Sequence, residues 1–409
     1  MSINNNVLKT ITEKASQYNN ETAKLLSELV QIKSYSSQEE DICRRIYEIC
    51  NELGVDEVRF DGLGSVIARV GSGSKTIAFD AHIDTVEVGD ESQWERDPFS
   101  GDIENGYIYG RGTSDQKGGA ASMLTAARIL KEIGDTNNYS VYFTFTVMEE
   151  DCDGMCWKYL IEEEGLKPDF VVSTEPTSCT ITRGQRGRME MIVRLKGVSA
   201  HGSAPERGVN AAYKAGSAAL ALKQLNKDLQ PDEDNFLGKG TIVVSQIDAH
   251  GPSQCAVPDT AMLYIDRRLT WGENKELAIG QVKNVISEAI GDAKGNIEVT
   301  MPHYEKRGWK NTDYSQELYF PTWKIPENHK LVQWGIKTYS SLFGKKPFVD
   351  KWTFSTNLVA TTGRHKIPAI GFGPGDEAEA HAPNEKTRVK DLEICTAFYA
   401  ALPFIMEDN

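Results

Sequence analysis

No apolar run in the 409-residue chain approaches the roughly 20 residues that a membrane-crossing helix needs, so the sequence predicts no membrane partner. Blocks of Lys or Arg are also missing, and the net charge is −14. A phosphate-binding surface would need the opposite balance, which excludes nucleic acid as a partner. The same charge means that any anionic substrate needs a locally positive pocket. Cysteine is sparse, seven in all at irregular positions, and this odd, scattered set predicts reduced thiols and not a disulfide framework. The opening Met1-Ser2-Ile3-Asn4-Asn5-Asn6 has no basic segment followed by an apolar one, so no signal peptide is expected and a cytoplasmic location is. What the chain does have is 40% hydrophobic and 25% charged residues, the composition of a globular protein. Its length exceeds one ordinary core, and two domains are expected.

The stretch around which the rest is organised runs Ala78-Phe79-Asp80-Ala81-His82-Ile83-Asp84-Thr85-Val86. It predicts a buried strand, Thr76 to Ala81, ending in a His-x-Asp. Period-two geometry sends His82 and Asp84 the same way, which suits a metal ligand with a carboxylate partner behind it; a loop histidine bonded to a neighbouring Asp would give the same pattern. About thirty residues on, Gly110-Arg111-Gly112-Thr113-Ser114-Asp115-Gln116-Lys117-Gly118-Gly119 reads as a Gly-rich turn that delivers Asp115 and starts a helix, Gly119 to Ile133. Tyr139 to Met148 is a second buried strand and ends in Glu149-Glu150. Phe170-Val171-Val172-Ser173-Thr174-Glu175-Pro176 repeats the device. Strand ends are where α/β folds place ligands. Convergent carboxylates repel one another unless cations lie among them. One His with several acids suits Zn²⁺ or a similar divalent ion, and more than four ligands suggest two ions sharing a bridging carboxylate.

The flanking segments predict an α/β architecture. Val7 to Leu53 reads as helices, with Ser36 or Ser37 as a cap for the second, Glu39 to Leu53; Cys43 and Cys50 lie on one face of it as core thiols. Short strands follow at Glu57 to Phe60 and Ser65 to Val70. From Gly187 the character changes: Arg188 to Lys196 alternates, Asn210 to Leu229 is an Ala-rich helix, Thr241 to Ile247 and Thr260 to Leu269 are strands, Glu276 to Ile290 is a helix, and Asn296 to Tyr304 closes the unit. That is the ferredoxin-like order. The expected organisation is therefore a mostly parallel α/β/α catalytic domain in two parts, 1–185 and 316–409, with an inserted α+β domain over 186–315. Arg307 to Pro326, rich in aromatics, reads as the return path, its rings packed in the core. The last part holds helices at His329 to Leu342 and Val389 to Phe404, a helix through Thr361, and the turn Gly371-Phe372-Gly373-Pro374-Gly375-Asp376 ahead of His381. Cys152 and Cys156, four apart, lack enough nearby ligands for a zinc site and are expected to be structural thiols.

Together these pieces resemble the acetylornithine deacetylase, succinyl-diaminopimelate desuccinylase, aminoacylase and glutamate carboxypeptidase family of zinc metallohydrolases. The resemblance runs from about residue 20 to 400. It rests on His82 to Val86, Gly110 to Gly119, Glu149-Glu150, Glu175-Pro176, Ser199-Ala200-His201-Gly202-Ser203-Ala204-Pro205 with Gly208-Val209-Asn210-Ala211, and His381-Ala382-Pro383-Asn384-Glu385. It implies two divalent ions per chain, Zn²⁺ first and Co²⁺ or Mn²⁺ as alternatives. His82 and Glu175 would hold one, Glu150 and His381 the other, and Asp115 would bridge. Asp84 would orient His82, and Glu149 would be the general base for attack of water on a linear amide.

The inserted domain is implied to act as a lid and to form a homodimer. His201 would reach from it into the partner's site to bond the oxyanion, although a loop histidine capping the helix at Asn210 fits the same setting. Arg268 would take a substrate carboxylate, or stand as a surface strand residue. Where relatives carry asparagines before the Val-Pro, this chain has Gln254-Cys255-Ala256-Val257-Pro258, so Gln254 becomes the candidate donor. Lys351-Trp352-Thr353-Phe354-Ser355-Thr356-Asn357 resembles a subgroup linked with selenium and purine metabolism. The implied substrate is an N-acyl amino acid, an N-carbamoyl compound or a small peptide. A dipeptidase or aminopeptidase is the alternative, and a non-catalytic binding protein on the same fold a further one.

Overall fold

The computed structural model describes residues 5–293 and 297–406; Met1 to Asn4 and Asn296, which enter two of the sequence readings, lie outside them. Among the described residues the main sheet has nine strands. Its order runs Glu57–Phe60, Val66–Val70, Tyr139–Thr146, Lys75–His82, Phe170–Ser173, Ala369–Gly371, Ile181–Gln185 and Trp323–Lys324, with Val349–Trp352 also paired to Ile181–Gln185. The four strands from Tyr139–Thr146 to Ala369–Gly371 run parallel. The pairs outside them are antiparallel, apart from Val349–Trp352.

Parallel strands are covered on both faces, and their near-continuous apolar runs reflect it. Ile77, Phe79 and Ala81 join the larger core, while Ala78, one residue out of phase, joins a smaller one. The larger core takes in helices Asn5–Gln31, Gly118–Ile133, Lys330–Phe343 and Val389–Ile405, which pack on one another. In the smaller core, Trp157 and Leu160 of the Met155–Glu162 helix meet Trp323, Trp352 and Leu358.

A second sheet has the order Thr241–His250, Thr260–Leu269, Gly187–Lys196, Glu298–Thr300, antiparallel throughout, with Tyr319–Phe320 adding a fifth strand. This is the ferredoxin-like arrangement of strand, helix, two strands, helix, strand. Met189, Met191, Val193 and Leu195 alternate inward along Gly187–Lys196, and they share a separate core with Ala215, Leu222, Val282 and Ile286 of the two helices Ala211–Asp228 and Lys275–Ile290. Asn210 caps the first of these helices by accepting from the Tyr213 amide at 3.2 Å.

Several local expectations change. Neither Ser36 nor Ser37 caps the Glu40–Glu52 helix, whose capping position is Glu39 and carries no side-chain cap bond. The last strand of the second unit is shorter than its apolar pattern: after Thr300 the chain turns away, and His303–Arg307 pairs with Asp313–Glu317 as a hairpin. The return path therefore contains strands, and its rings do pack: Trp309 stands edge-on to Phe60 and donates to the Gly64 carbonyl at 3.1 Å. The helix read through Thr361 is one wide helical turn, residues 359–364.

Candidate metal centre

In the parallel register His82 lies beside Thr146, and Asp80 beside Ser173. The residues that follow these strand ends therefore emerge together. His82 Nε2 lies 3.0 Å from Asp115 Oδ1, 3.7 Å from Glu175 Oε1 and 3.9 Å from Glu149 Oε2. On the other side, His381 Nε2 is 2.9 Å from Glu150 Oε2 and 3.3 Å from Asp115 Oδ2. Two groups of possible ligand atoms result, His82–Asp115–Glu175 and Asp115–Glu150–His381, each within 4.8 Å of one another and sharing Asp115.

The back of the site is hydrogen-bonded. His82 Nδ1 lies 3.0 Å from the Asp84 backbone carbonyl. A carbonyl only accepts, so Nδ1 carries a proton, and Nε2 is the ring nitrogen turned to the cavity. The Asp84 carboxylate lies farther off, 3.7 Å from Nδ1, and serves another purpose. It accepts from the amides of Glu149 and Glu150, both at 3.1 Å, and from the Ser36 hydroxyl at 2.7 Å. Orientation of His82 thus falls to the Asp84 main chain, while its side chain holds the turn that presents the two glutamates. Glu39 supports the same turn through the Met148 amide at 3.0 Å.

Glu385 organises the Gly-rich turn. It accepts from the amides of Gly112, Ser114 and Asp115 at 3.0, 2.7 and 3.0 Å and from Arg111 at 2.8 Å. Gly112 has φ +89° there, a conformation that costs a glycine nothing. At the end of Phe170–Ser173, a side chain at Gly373 would place its Cβ 2.0 Å from the Thr174 carbonyl, so the approach of the two chain segments behind Glu175 requires glycine.

Electrostatics show what such a cluster needs. Burial pushes the Glu149 carboxyl well above the usual range, and Asp153, Glu175 and Glu150 add to the shift. Glu175 is raised well above its ordinary value for the same first reason, and Glu150 is pushed up to about 7 by burial and by Asp115. His82 would be lowered by burial, yet Glu149, Glu175 and Asp115 raise it well above normal. Glu149 Oε1 and Glu150 Oε1 are buried with no hydrogen-bond partner. Packed acids with unspent oxygens are costly unless positive charge sits among them, and the donor set of imidazoles and carboxylates fits divalent cations.

The segment Lys351 to Asn357 closes one side of the site. Trp352 Nε1 donates to the Pro176 carbonyl at 3.0 Å, next to Glu175. Asn357 donates to Asp80 and to Thr146, both at 3.1 Å, and accepts from the Gly154 amide at 3.0 Å and the Cys156 thiol at 3.1 Å. It therefore ties the strand that ends in His82 to the loop that follows Glu150. Asn357→Ala is expected to lower stability by about 2–4 kcal/mol, since the buried Asp80 carboxylate and Gly154 amide lose partners. Urea unfolding measures it; a loss below about 0.5 kcal/mol, the level of a neutral surface change, would contradict this account. Cys152 and Cys156 are buried free thiols whose pKa values burial raises, in line with structural packing.

Of the remaining predicted residues, Arg268 lines the same cavity of about 350 Å³ as the acids. His201 and Gln254 do not. His201 is exposed, bonded to its neighbour Ser203 at 2.7 Å, and bridged through its backbone to Ala256, two residues beyond Gln254. Sequence reasoning passed over Arg188, which lines the cavity, gave Glu385 no role of its own, and gave Ser36 only that of a helix cap. The presence of Glu385 at the end of His381-Ala382-Pro383-Asn384-Glu385 was the available signal for it.

The chain belongs to peptidase family M20/M25/M40, whose model matches residues 78–404. It is accordingly a hydrolase acting on amide or peptide bonds. Among curated relatives, the uncharacterized protein YgeY of Escherichia coli strain K12 is 49% identical over 97% of this chain and 96% of its own length. The acetylornithine deacetylase of Pectobacterium atrosepticum is 27% identical over 78% of each. Among solved structures, aminopeptidase PepT from Bacillus cereus superposes with a TM-score of 0.72 at 22% identity, covering 95% of this chain and 98% of its own. No helix among the described residues is long and apolar enough to cross a membrane.

Proposed function

We propose that this hydrolase cleaves a linear amide with two divalent ions bound, removing an acyl or carbamoyl group from an N-substituted amino acid or splitting a small peptide. The observation that carries this reading is the pair of ligand groups sharing Asp115, with Glu149 beside them and outside both. His82 and Glu175 would hold one ion, Glu150 and His381 the other, and Asp115 would be shared between them. Zn²⁺ is the first expectation for both, Co²⁺ or Mn²⁺ the alternatives; when bound, such ions supply Lewis acidity toward water and the amide carbonyl.

Glu149 lines the cavity and acts as the general base. It takes a proton from the attacking water and returns it to the leaving amine nitrogen. It stands beside both ligand groups and belongs to neither, which leaves its carboxylate free to accept and release that proton. Asp84 supports the reaction twice, fixing the His82 tautomer through its carbonyl and the Glu149–Glu150 turn through its carboxylate.

Residues 186–315 form an inserted lid and dimerisation unit, with 1–185 and 316–409 as the catalytic domain. The Thr241–His250 strand lies at an edge of its sheet, and Val243 and Ile247 on it are exposed, as a pairing surface would be. In a homodimer, a second copy would supply its own His201, and with it Gln254, to this cavity. All seven cysteines are free, which supports a reducing, cytoplasmic setting.

The test is hydrolysis of N-acetyl, N-succinyl and N-carbamoyl amino acids and of dipeptides, followed by mass spectrometry, with metal-stripped protein reconstituted by Zn²⁺, Co²⁺ or Mn²⁺. Metal-dependent turnover of an N-substituted amino acid is the expected outcome. Turnover confined to peptides with a free amino terminus would establish the aminopeptidase or dipeptidase reading instead. Protein that binds no metal would refute the dinuclear one.

A further inference from the structure

The cavity has walls from both sheets. The acids and the segment Thr353 to Ser355 line it from beside the main sheet, Arg188 and Arg268 from strands of the second. Its width therefore depends on how the two sheets are held. The chain passes between them in two crossings that lie side by side. Ile181–Gln185 runs on into Gly187–Lys196 through Arg186 alone, and Tyr319–Phe320 into Trp323–Lys324 through Pro321 and Thr322. The crossings pair with each other on both sides of the gap, Phe320 with Arg188 and Trp323 with Gln185. A two-stranded neck with one or two residues between its paired parts is a place where packed units can swing.

Residues 230–239, between the helix Ala211–Asp228 and the strand Thr241–His250, reach back across this neck. Lys324 Nζ bonds Asp232 at 2.6 Å and both oxygens of Asp234 at 2.8 and 2.9 Å. The pair with Asp232 is withdrawn from water, the Lys324 and Asp232 side chains being 14% and 3% exposed. Arg183 places its Cζ 3.7 Å from the centre of the Phe236 ring, and Lys351 donates to the Phe236 carbonyl. Arg186, in the neck itself, donates to the Lys239 carbonyl at 3.2 Å and to the Thr353 carbonyl at 3.5 Å. Exposed ion pairs contribute little. Here one pair is largely buried, a guanidinium lies on an aromatic face, and three strands of the main sheet are gripped at once. None of these residues belongs to either ligand group.

We propose that residues 230–239 act as a strap, anchored by Phe236, that holds the two sheets in the orientation in which the cavity takes substrate. Phe236 and Lys324 are positioning residues, acting through the wall at Thr353 and through the strands that carry Arg188 and Arg268. Without the strap, the competent arrangement is only a fraction of the population. Apparent affinity falls by that fraction, while substrate once bound reacts as before. The kinetic side of this inference rests on the hydrolase reading above; the structural side does not.

The test uses the metal-loaded full chain as wild type, Phe236→Ala, Phe236→Tyr and the double variant Lys324→Met with Asp232→Asn, which leaves no buried carboxylate unpaired. The substrate is whichever N-acetyl, N-succinyl or N-carbamoyl amino acid or dipeptide the wild type turns over. KM is expected to rise about 10-fold in Phe236→Ala and in the double variant, as for a competent fraction near one tenth, with kcat and metal content kept. Phe236→Tyr, which retains the ring beside Arg183, keeps the wild-type KM. General loosening would neither divide KM from kcat nor spare tyrosine. An unchanged KM in Phe236→Ala and the double variant, or a fall in kcat that follows loss of metal, overturns the proposal.

Hydrogen exchange read by mass spectrometry separates this from failure of the hydrolase reading, because it needs no turnover. In Phe236→Ala and in the double variant, residues 183–189 and 319–324 of the neck are expected to exchange about 10-fold faster than in wild type, while the strand Lys75–His82 keeps its rate. That pattern supports the strap even if the wild type hydrolyses nothing in the series. A neck as protected as in wild type, or acceleration that takes in Lys75–His82 equally in both variants, overturns it.

Discussion

Replacing Glu149 by glutamine is expected to lower kcat by about 10²–10⁴-fold, the range for a lost general base, with both ions still bound. Glutamine has the same shape and cannot take the proton of water. Metal content should hold because Glu149 belongs to neither ligand group. Its place in the turn is also secured by its amide on Asp84, not by its side chain. KM should change little, since the residue acts in the transition state more than in binding. Steady-state kinetics with elemental analysis of the same preparation checks both halves. A fall in kcat that tracks loss of metal would make Glu149 a ligand and move the base elsewhere.

The second large effect concerns Asp115. Its two oxygens face His82 and His381, so Asp115→Ala removes one member from both ligand groups at once. Both ions should be lost and turnover should fall to background, whereas Glu175→Ala should loosen only the ion near His82. Disturbing a partner that merely supports a ligand costs about 10–100-fold in metal affinity, and removing the shared ligand should cost more. Thermal unfolding gives an independent readout. Metal added to the stripped wild type relieves repulsion among the buried acids and adds about 4 kcal/mol of stability at a thousandfold excess over Kd. Asp115→Ala should show little of that gain. A mutant that still binds two ions and is stabilised by them would rule out the bridge.

Much of the centre was legible because parallel strands announce themselves. Each of the runs before His82, Glu149 and Glu175 is apolar on both faces, and an acid or imidazole after such a run stands at the edge of the core. The register that makes these ends neighbours follows from the sheet. Less visible was what stands behind them. Glu385 meets the Gly112–Asp115 amides across some 270 positions of sequence, and no local period encodes such a contact. The use of Asp84 was half legible: His-x-Asp suggested an orienting carboxylate, but the main-chain carbonyl took that place. The arginines show a similar limit: Arg268 was legible and Arg188 was not, though both line the cavity. The serine cap failed because the capping position fell to Glu39, while the Ser36 hydroxyl turned away to donate to Asp84 at 2.7 Å.

The hold of one carboxylate on two consecutive amides has a consequence for how this centre could change over time. Glu149 and Glu150 are chemically the same residue, and only their order along the chain separates them. With both amides anchored to Asp84, the turn has no intermediate positions: a slip of one residue would put Glu150 in the place of Glu149 and Asp151 in that of Glu150. Gradual adjustment of the spacing between them is closed to insertion, deletion or drift in the loop. Changes that keep both amide bonds are therefore changes of side chain.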